Sequence, residues 1–207
     1  MLNKIQVQIV LGLAVVVWAV LLFVEGVHLK ASYLKPYSVV VTVVVVGLIL
    51  FDRWLWRIPP IARALHRPIL RGTWKGQLLS NWINPETQQG IGPIEAFLLV
   101  RQTYSTVTLR LMTKESTSRS LVASLDSPRD DIARLSSTYQ NMPGLMIQDR
   151  SRIHHGALML EVHGSPANRL IGSYWTDRDT KGEVSLETRS PKVYTSFSEA
   201  VSASWPS

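Results

Sequence analysis

Two kinds of hydrophobic pattern divide the chain. From Ile5 to Val24 the residues read IQVQIVLGLAVVVWAVLLFV, 20 positions with no charge and two amides near the start. From Tyr37 to Phe51 they read YSVVVTVVVVGLILF, 15 positions, and Leu55 and Trp56 extend the run past Asp52 and Arg53. A helix rises about 1.5 Å per residue, so roughly 20 residues cross the ~30 Å hydrocarbon core of a bilayer. The first run meets that length. The second meets it if Asp52 and Arg53 lie at the interface beside Trp54 and Trp56, where indole rings favour the headgroup level. The pattern predicts a two-helix transmembrane hairpin over residues 1–56, with helices at about 5–24 and 37–56. A cleaved signal peptide would explain the first run alone, but no small-x-small site follows it, only Glu25-Gly26-Val27. Core strands would explain valine-rich runs, but poorly explain two of this length with interfacial flanks.

From Gly72 onward the period changes to two. Trp74, Gly76 and Leu78 alternate with Thr73, Lys75 and Gln77, Val107, Leu109 and Leu111 with Thr106, Thr108 and Arg110, and Leu158, Leu160 and Val162 with Met159, Glu161 and His163. Such alternation marks strands with one buried face. Eight segments are predicted, at about 73–82, 94–103, 105–113, 118–126, 131–140, 155–163, 169–177 and 182–190. Turn residues separate them, among them Asn84-Pro85, Asp126-Ser127-Pro128, Pro143-Gly144 and Gly164-Ser165-Pro166. Short connections favour an antiparallel meander. A sandwich would satisfy the same pattern, but a closed eight-stranded up-and-down barrel of the lipocalin type removes the edges and can hold one small ligand. Residues 57–71, with Pro59, Pro60 and Pro68, form a basic linker to the barrel at 72–190, and 191–207 form a polar, serine-rich tail in which Ser196-x-x-Glu199 is a helix-capping pattern.

Charge sharpens this division. The chain carries a formal net charge of +7. Seven basic residues against two acidic ones place +5 of it in residues 1–67, and 15 against 13 leave only +2 for residues 68–207. The high pI is therefore mainly a flank effect, and neither DNA nor RNA is an expected partner. Lys4 and four arginines at or after the second run place both termini in the cytoplasm by the positive-inside rule. With no cysteine, disulfide scaffolds and thiolate metal sites are excluded.

Catalytic signatures are missing from the sequence. There is no Gly-x-x-x-x-Gly-Lys loop, no Gly-x-Ser-x-Gly elbow and no His-Glu-x-x-His helix. The adjacent pair His154-His155 points to opposite faces of a strand, a poor metal site. No enzyme, metal or cofactor is expected, and a sensor fits better. Its site is sought where Gly172, Tyr174, Thr176 and possible continuation to Arg178 share a face at period two. If that face points inward, it offers a ring for stacking, a hydroxyl and a guanidinium, the groups that bind a nucleotide phosphodiester. Spacing alone favours a plainer picture, with Tyr174 and Trp175 as core or surface aromatics and Arg178 as a solvated turn residue. A membrane-tethered carrier of an apolar ligand, or an assembly module filled by its own side chains, also fits the strands.

The order of motifs adds a resemblance. The two apolar runs, the basic linker, Gly72-Thr73-Trp74-x-Gly76, Tyr139-x-Asn141-x-Pro143, His155-x-x-x-x-Leu160 and Gly172-x-Tyr174-Trp175-Thr176-x-Arg178-x-Thr180-x-Gly182 together resemble the two-transmembrane, β-strand-rich effectors of bacterial CBASS anti-phage systems. The likeness spans nearly the whole chain, to about Arg189. It implies a β-barrel receptor for a cyclic dinucleotide made by a partner CD-NTase. It further implies that the loaded receptor forms homo-oligomers and disrupts the lipid bilayer of the bacterial inner membrane, killing the infected cell. Trp74, Tyr139, Asn141, His155, Tyr174, Thr176 and Arg178 carry over as candidate ligand-binding positions.

Overall fold

The computed structural model describes residues 31–84, 87–126, 132–149 and 151–206, and scattered positions between 12 and 24. They form two units: Met1–Ile58 with Thr103–Ser105, and Pro59–Gln102 with Thr106–Ser207.

In the first unit, helix α1 spans Ala31–Arg53 and a 3₁₀ turn follows at Leu55–Arg57. The end of α1 is tied to the segment Thr103–Ser105. The Asp52 Oδ1 accepts the Ser105 N–H at 2.9 Å and the Thr103 hydroxyl at 3.2 Å, and the Asp52 carbonyl accepts the Tyr104 N–H at 2.9 Å. The Tyr104 ring meets Phe51 edge-on with centroids 5.1 Å apart. The expected membrane hairpin is not borne out. Among the described residues no helix is long and apolar enough to cross a membrane, which overturns the two-pass inner-membrane placement with both termini cytoplasmic. The first expected helix, 5–24, lies largely outside the described residues. The second was to gain its length past Asp52, with that carboxylate at a lipid interface. Instead α1 stops at Arg53 and the carboxylate is engaged by a polar turn. The apolar run Tyr37–Phe51 alone rises about 22 Å, short of the ~30 Å hydrocarbon core.

The second unit opens with helix α2, Pro59–Ala64, and continues into eight strands: β1 Gly72–Ser80, β2 Ile94–Gln102, β3 Val107–Met112, β4 Ser116–Asp126, β5 Arg134–Pro143, β6 His154–His163, β7 Arg169–Thr176 and β8 Lys181–Ser190. Each pairs antiparallel with the next, and β8 returns to β1, so the sheet is the expected closed up-and-down barrel. Two irregularities help it close, since a bulge bends and twists a strand. One lies between Lys75 and Gly76 against β8, the other between Ser120 and Val122 against β5. Gly76 is required there, because a Cβ would lie 1.9 Å from the Ser185 carbonyl oxygen.

The interior is divided along the barrel axis. Leu70, Trp74, Leu98, Val100, Leu135, Leu160, Leu170, Val184 and Leu186 share one continuous buried cluster and pack one half solid. The chain before β1 seals that end. The Trp74 indole N–H donates to the Leu70 carbonyl at 2.9 Å, and buried Gln102 accepts the Leu70 N–H at 2.7 Å while donating to the Pro68 carbonyl at 2.9 Å. The buried indole and amide groups of Trp74 and Gln102 thus have partners, as burial demands. The Arg189 guanidinium lies 5.5 Å from the Trp74 ring centroid, and burial lowers its pKa.

A second apolar cluster lies on the outside of the barrel. Phe97, Leu99 and Met112 face outward from β2 and β3 and are covered by the chain after β8: Tyr194, helix α3 at Phe197–Val201, and Trp205. Ser196 caps α3 by accepting the Glu199 N–H, and the Glu199 carboxylate accepts the Thr195 N–H at 2.8 Å, the capping pattern the sequence suggests. The serines conceal an apolar stripe in this tail.

Truncating Trp74 removes the largest side chain of the plug. Trp74→Ala is expected to cost about 3–5 kcal/mol of unfolding free energy, read as a lowered denaturant midpoint. A loss of ligand affinity at unchanged stability would instead make Trp74 a contact residue.

Candidate functional site

The other half of the barrel is open. Four connections meet at that end: 81–93, 113–115, 144–153 and 177–180. Between them and the apolar plug lies a cavity of about 530 Å³, within the ~300–1,000 Å³ range of ligand pockets.

Strand alternation decides what lines it. β5 turns Leu135, Ser137, Tyr139 and Asn141 inward in sequence, so its apolar start joins the plug and its polar end reaches the cavity. β7 does the same with Leu170, Tyr174 and Thr176. The two tyrosines are held by glycines on neighbouring strands. A Cβ on Gly156 would lie 2.6 Å from Tyr139 Cζ and Oη, and one on Gly182 would lie 2.8 Å from Tyr174 Cε1. Each ring occupies the space that its glycine leaves.

Polar partners fix the remaining groups. The Ser118 hydroxyl donates to Asn141 Oδ1 at 2.9 Å with both residues buried, which fixes the direction of the Asn141 amide in the cavity wall. The Thr176 and Thr180 hydroxyls lie 2.6 Å apart, and the Arg178 N–H donates to Thr176 Oγ1 at 3.2 Å. The exposed Arg178 side chain donates to the Ser151 hydroxyl at 3.0 Å, joining two loops at the mouth. Lys114 adds a second cation to the lining, while Glu95 pairs with Lys75 at 3.1 Å. Burial pushes the Tyr139 phenol well above its ordinary pKa of 10.0, and neighbouring Tyr174 and Asp177 add to the effect. Tyr139 is therefore a neutral hydrogen-bond donor across the physiological range.

Five of the seven residues singled out in the sequence, Tyr139, Asn141, Tyr174, Thr176 and Arg178, line this one cavity. Two do not. His155 faces outward, its N–H bonded to Asp177 Oδ2 at 3.0 Å and its Nδ1 3.6 Å from the same oxygen, and His154 lines the cavity in its place. Trp74 is buried in the plug. Ser118, Ser151, Lys114 and Thr180 were not singled out. Period two on β4 carries the signal for Ser118, whereas Ser151 and Lys114 lie in loops, where alternation gives none. Among the described residues no group of three metal-ligating side chains converges. The cavity lining offers ring faces, fixed hydroxyl and amide groups, two cations and the carboxylates of Glu95 and Glu115; its rings, hydrogen-bond groups and cations are those that meet a planar, phosphate-bearing ligand.

Residues 65–188 match the family model described as Cap15, cyclic dinucleotide receptor domain. No curated protein matches the chain. The match bears out the resemblance to the CBASS effectors over the barrel.

The raised Tyr139 pKa gives a pH dependence with a definite sign. Above pH ~10 the unfolded chain loses the phenolic proton and the folded chain keeps it, so stability falls as pH rises. The stability contribution is whole below pH ~10. Denaturation followed from pH ~9 upward should show this alkaline loss, and Tyr139→Phe should remove part of it. An identical pH profile for both proteins would place Tyr139 in a more hydrated setting.

Proposed function

The chain belongs to the family of Cap15 cyclic dinucleotide receptor domains, and on that premise we propose that the barrel, residues 72–190, takes a cyclic dinucleotide into its open cavity. The loaded receptor then assembles with further copies as a non-enzymatic effector of CBASS anti-phage immunity. The ligand is supplied by a partner CD-NTase.

One observation carries this proposal: a single cavity is plugged with apolar side chains below and lined above by two tyrosines, hydroxyls, an amide and Arg178. A carrier of an apolar ligand would want an aliphatic lining without arginine, and a pure assembly module would leave no cavity. The proposed division of labour follows from the chemistry of each group. The Tyr139 and Tyr174 faces and phenols meet the bases. Asn141, Thr176 and Thr180 supply hydrogen bonds of fixed direction. Arg178 and Lys114 meet the two phosphates, since the guanidinium offers paired donors and the ammonium a compact charge. Recognition depends on these local cations, because the +2 of residues 68–207 creates little long-range field.

Assembly follows ligand only if the assembled form binds it more tightly than the free receptor does. The proposed activity is binding and assembly; among the described residues no helix is long and apolar enough to cross a membrane.

Thermal melting of the full chain with a panel of cyclic dinucleotides tests the proposal. A cognate ligand at 100 times its Kd should add about 2.7 kcal/mol to stability. Arg178→Ala should weaken binding roughly 10- to 100-fold while leaving the ligand-free melting temperature unchanged. Stabilisation by fatty acids and by no cyclic dinucleotide would select the apolar carrier instead.

A further inference from the structure

The chain after β8 is more than a cover for the barrel's outer face. It is anchored at several points. The Thr73 hydroxyl donates to the Lys192 carbonyl at 2.9 Å and accepts the Tyr194 N–H at 3.0 Å. Arg110 donates to the Thr195 carbonyl at 3.0 Å. The Trp205 indole N–H donates to the Ala200 carbonyl at 2.8 Å, and its ring stacks on Phe97 with centroids 5.4 Å apart. Phe97, Leu99 and Met112 are almost fully buried under this strap. Its path is therefore set by the barrel, and so is the position of Phe197 at the start of α3. That ring meets Phe97 edge-on at 5.4 Å and also lines the cavity, whose lining includes Glu95, Thr113 and Lys114.

We propose that Phe197 is a ligand-contacting residue: the strap delivers an aromatic wall to the cavity, against which a nucleobase stacks. This rests on the cyclic dinucleotide proposal and adds to it, because the family match ends at residue 188 and the strap lies beyond it. The geometry gives three reasons. An aromatic face in the same cavity lining as Lys114 suits a ligand that joins bases to phosphates. The half-buried ring loses little freedom on binding, because Phe97 already holds it. Beyond Tyr139 and Tyr174 the cavity lining includes two further aromatic residues, Trp82 in the connection after β1 and Phe197 in the strap, so the strap adds a stacking surface that the barrel strands do not supply.

The test compares Phe197→Leu and Phe197→Tyr in the full chain. Leucine keeps an apolar contact with Phe97 but has no ring, whereas tyrosine keeps both. Titration calorimetry with the cyclic dinucleotide that stabilises the wild type should give about ten-fold weaker binding for Phe197→Leu and near wild-type binding for Phe197→Tyr, with the ligand-free melting temperature of Phe197→Tyr unchanged. Hydrogen exchange on the wild type gives a second readout that needs no variant, with slower amide exchange across residues 193–203 when ligand is bound. Wild-type affinity in Phe197→Leu, equal losses in both variants, or ligand-independent exchange in the strap would each reduce Phe197 to packing and overturn the proposal. Failure of the wild type to bind any cyclic dinucleotide is a separate result, which removes the receptor proposal and this wall with it.

Discussion

The β1–β8 ladder is the constraint on which the rest depends. A meander of eight strands has two free edges, and only their pairing turns a sheet with one apolar face into a vessel with an inside. That pairing is not regular. It shifts at Lys75/Gly76, where a side chain larger than hydrogen would strike the Ser185 carbonyl. Closure also gives the alternation a second meaning. In an open sheet, period two separates core from solvent; in a barrel, it separates lumen from outside, and the lumen need not be apolar throughout.

That freedom is used along the axis. Strands that begin apolar at one end finish polar at the other, as β5 does from Leu135 to Asn141 and β7 from Leu170 to Thr176. The apolar half supplies stability and needs its own seal, provided by Leu70, Trp74 and Gln102. The polar half is left open and collects its charges from loops. Rigid strands therefore set the ring and amide positions, and the connections between strands carry the cations.

Much of the barrel was legible because its signal is local. Eight alternating runs with turn residues between them predict eight strands, and short connections predict antiparallel neighbours. β5 begins three residues later than expected, at Arg134, and continues to Pro143 through residues that elsewhere break strands. Asn141 remains in the ladder opposite Ser118 and His154. Period two put Tyr174 and Thr176 on one face but left open whether that face points inward, and Tyr139 was reached through the order of motifs. Less was legible where a side chain's direction depends on a distant element. Which of His154 and His155 faces inward depends on the phase of β6, and Trp74 belongs to the plug because the bonds of Leu70 hold it there. The partners of Asp52 were hidden for the same reason, because they lie about fifty residues away in Thr103–Ser105. The tail was hidden by composition, because five serines among its polar residues mask apolar positions that only the outer face of β2 and β3 reveals.

The seating of Tyr139 on Gly156 and Tyr174 on Gly182 constrains how this vessel can change over generations. Neither glycine touches solvent chemistry of its own, yet a methyl group at either would displace a ring. Losing a ring does not release its glycine, because a Cβ would still lie 2.5 Å from the Trp175 carbonyl oxygen at Gly156 and 1.9 Å from the Leu79 carbonyl oxygen at Gly182. The glycines are therefore fixed by the strands themselves, and the rings they seat are the positions at which such a lumen is reshaped for a different guest.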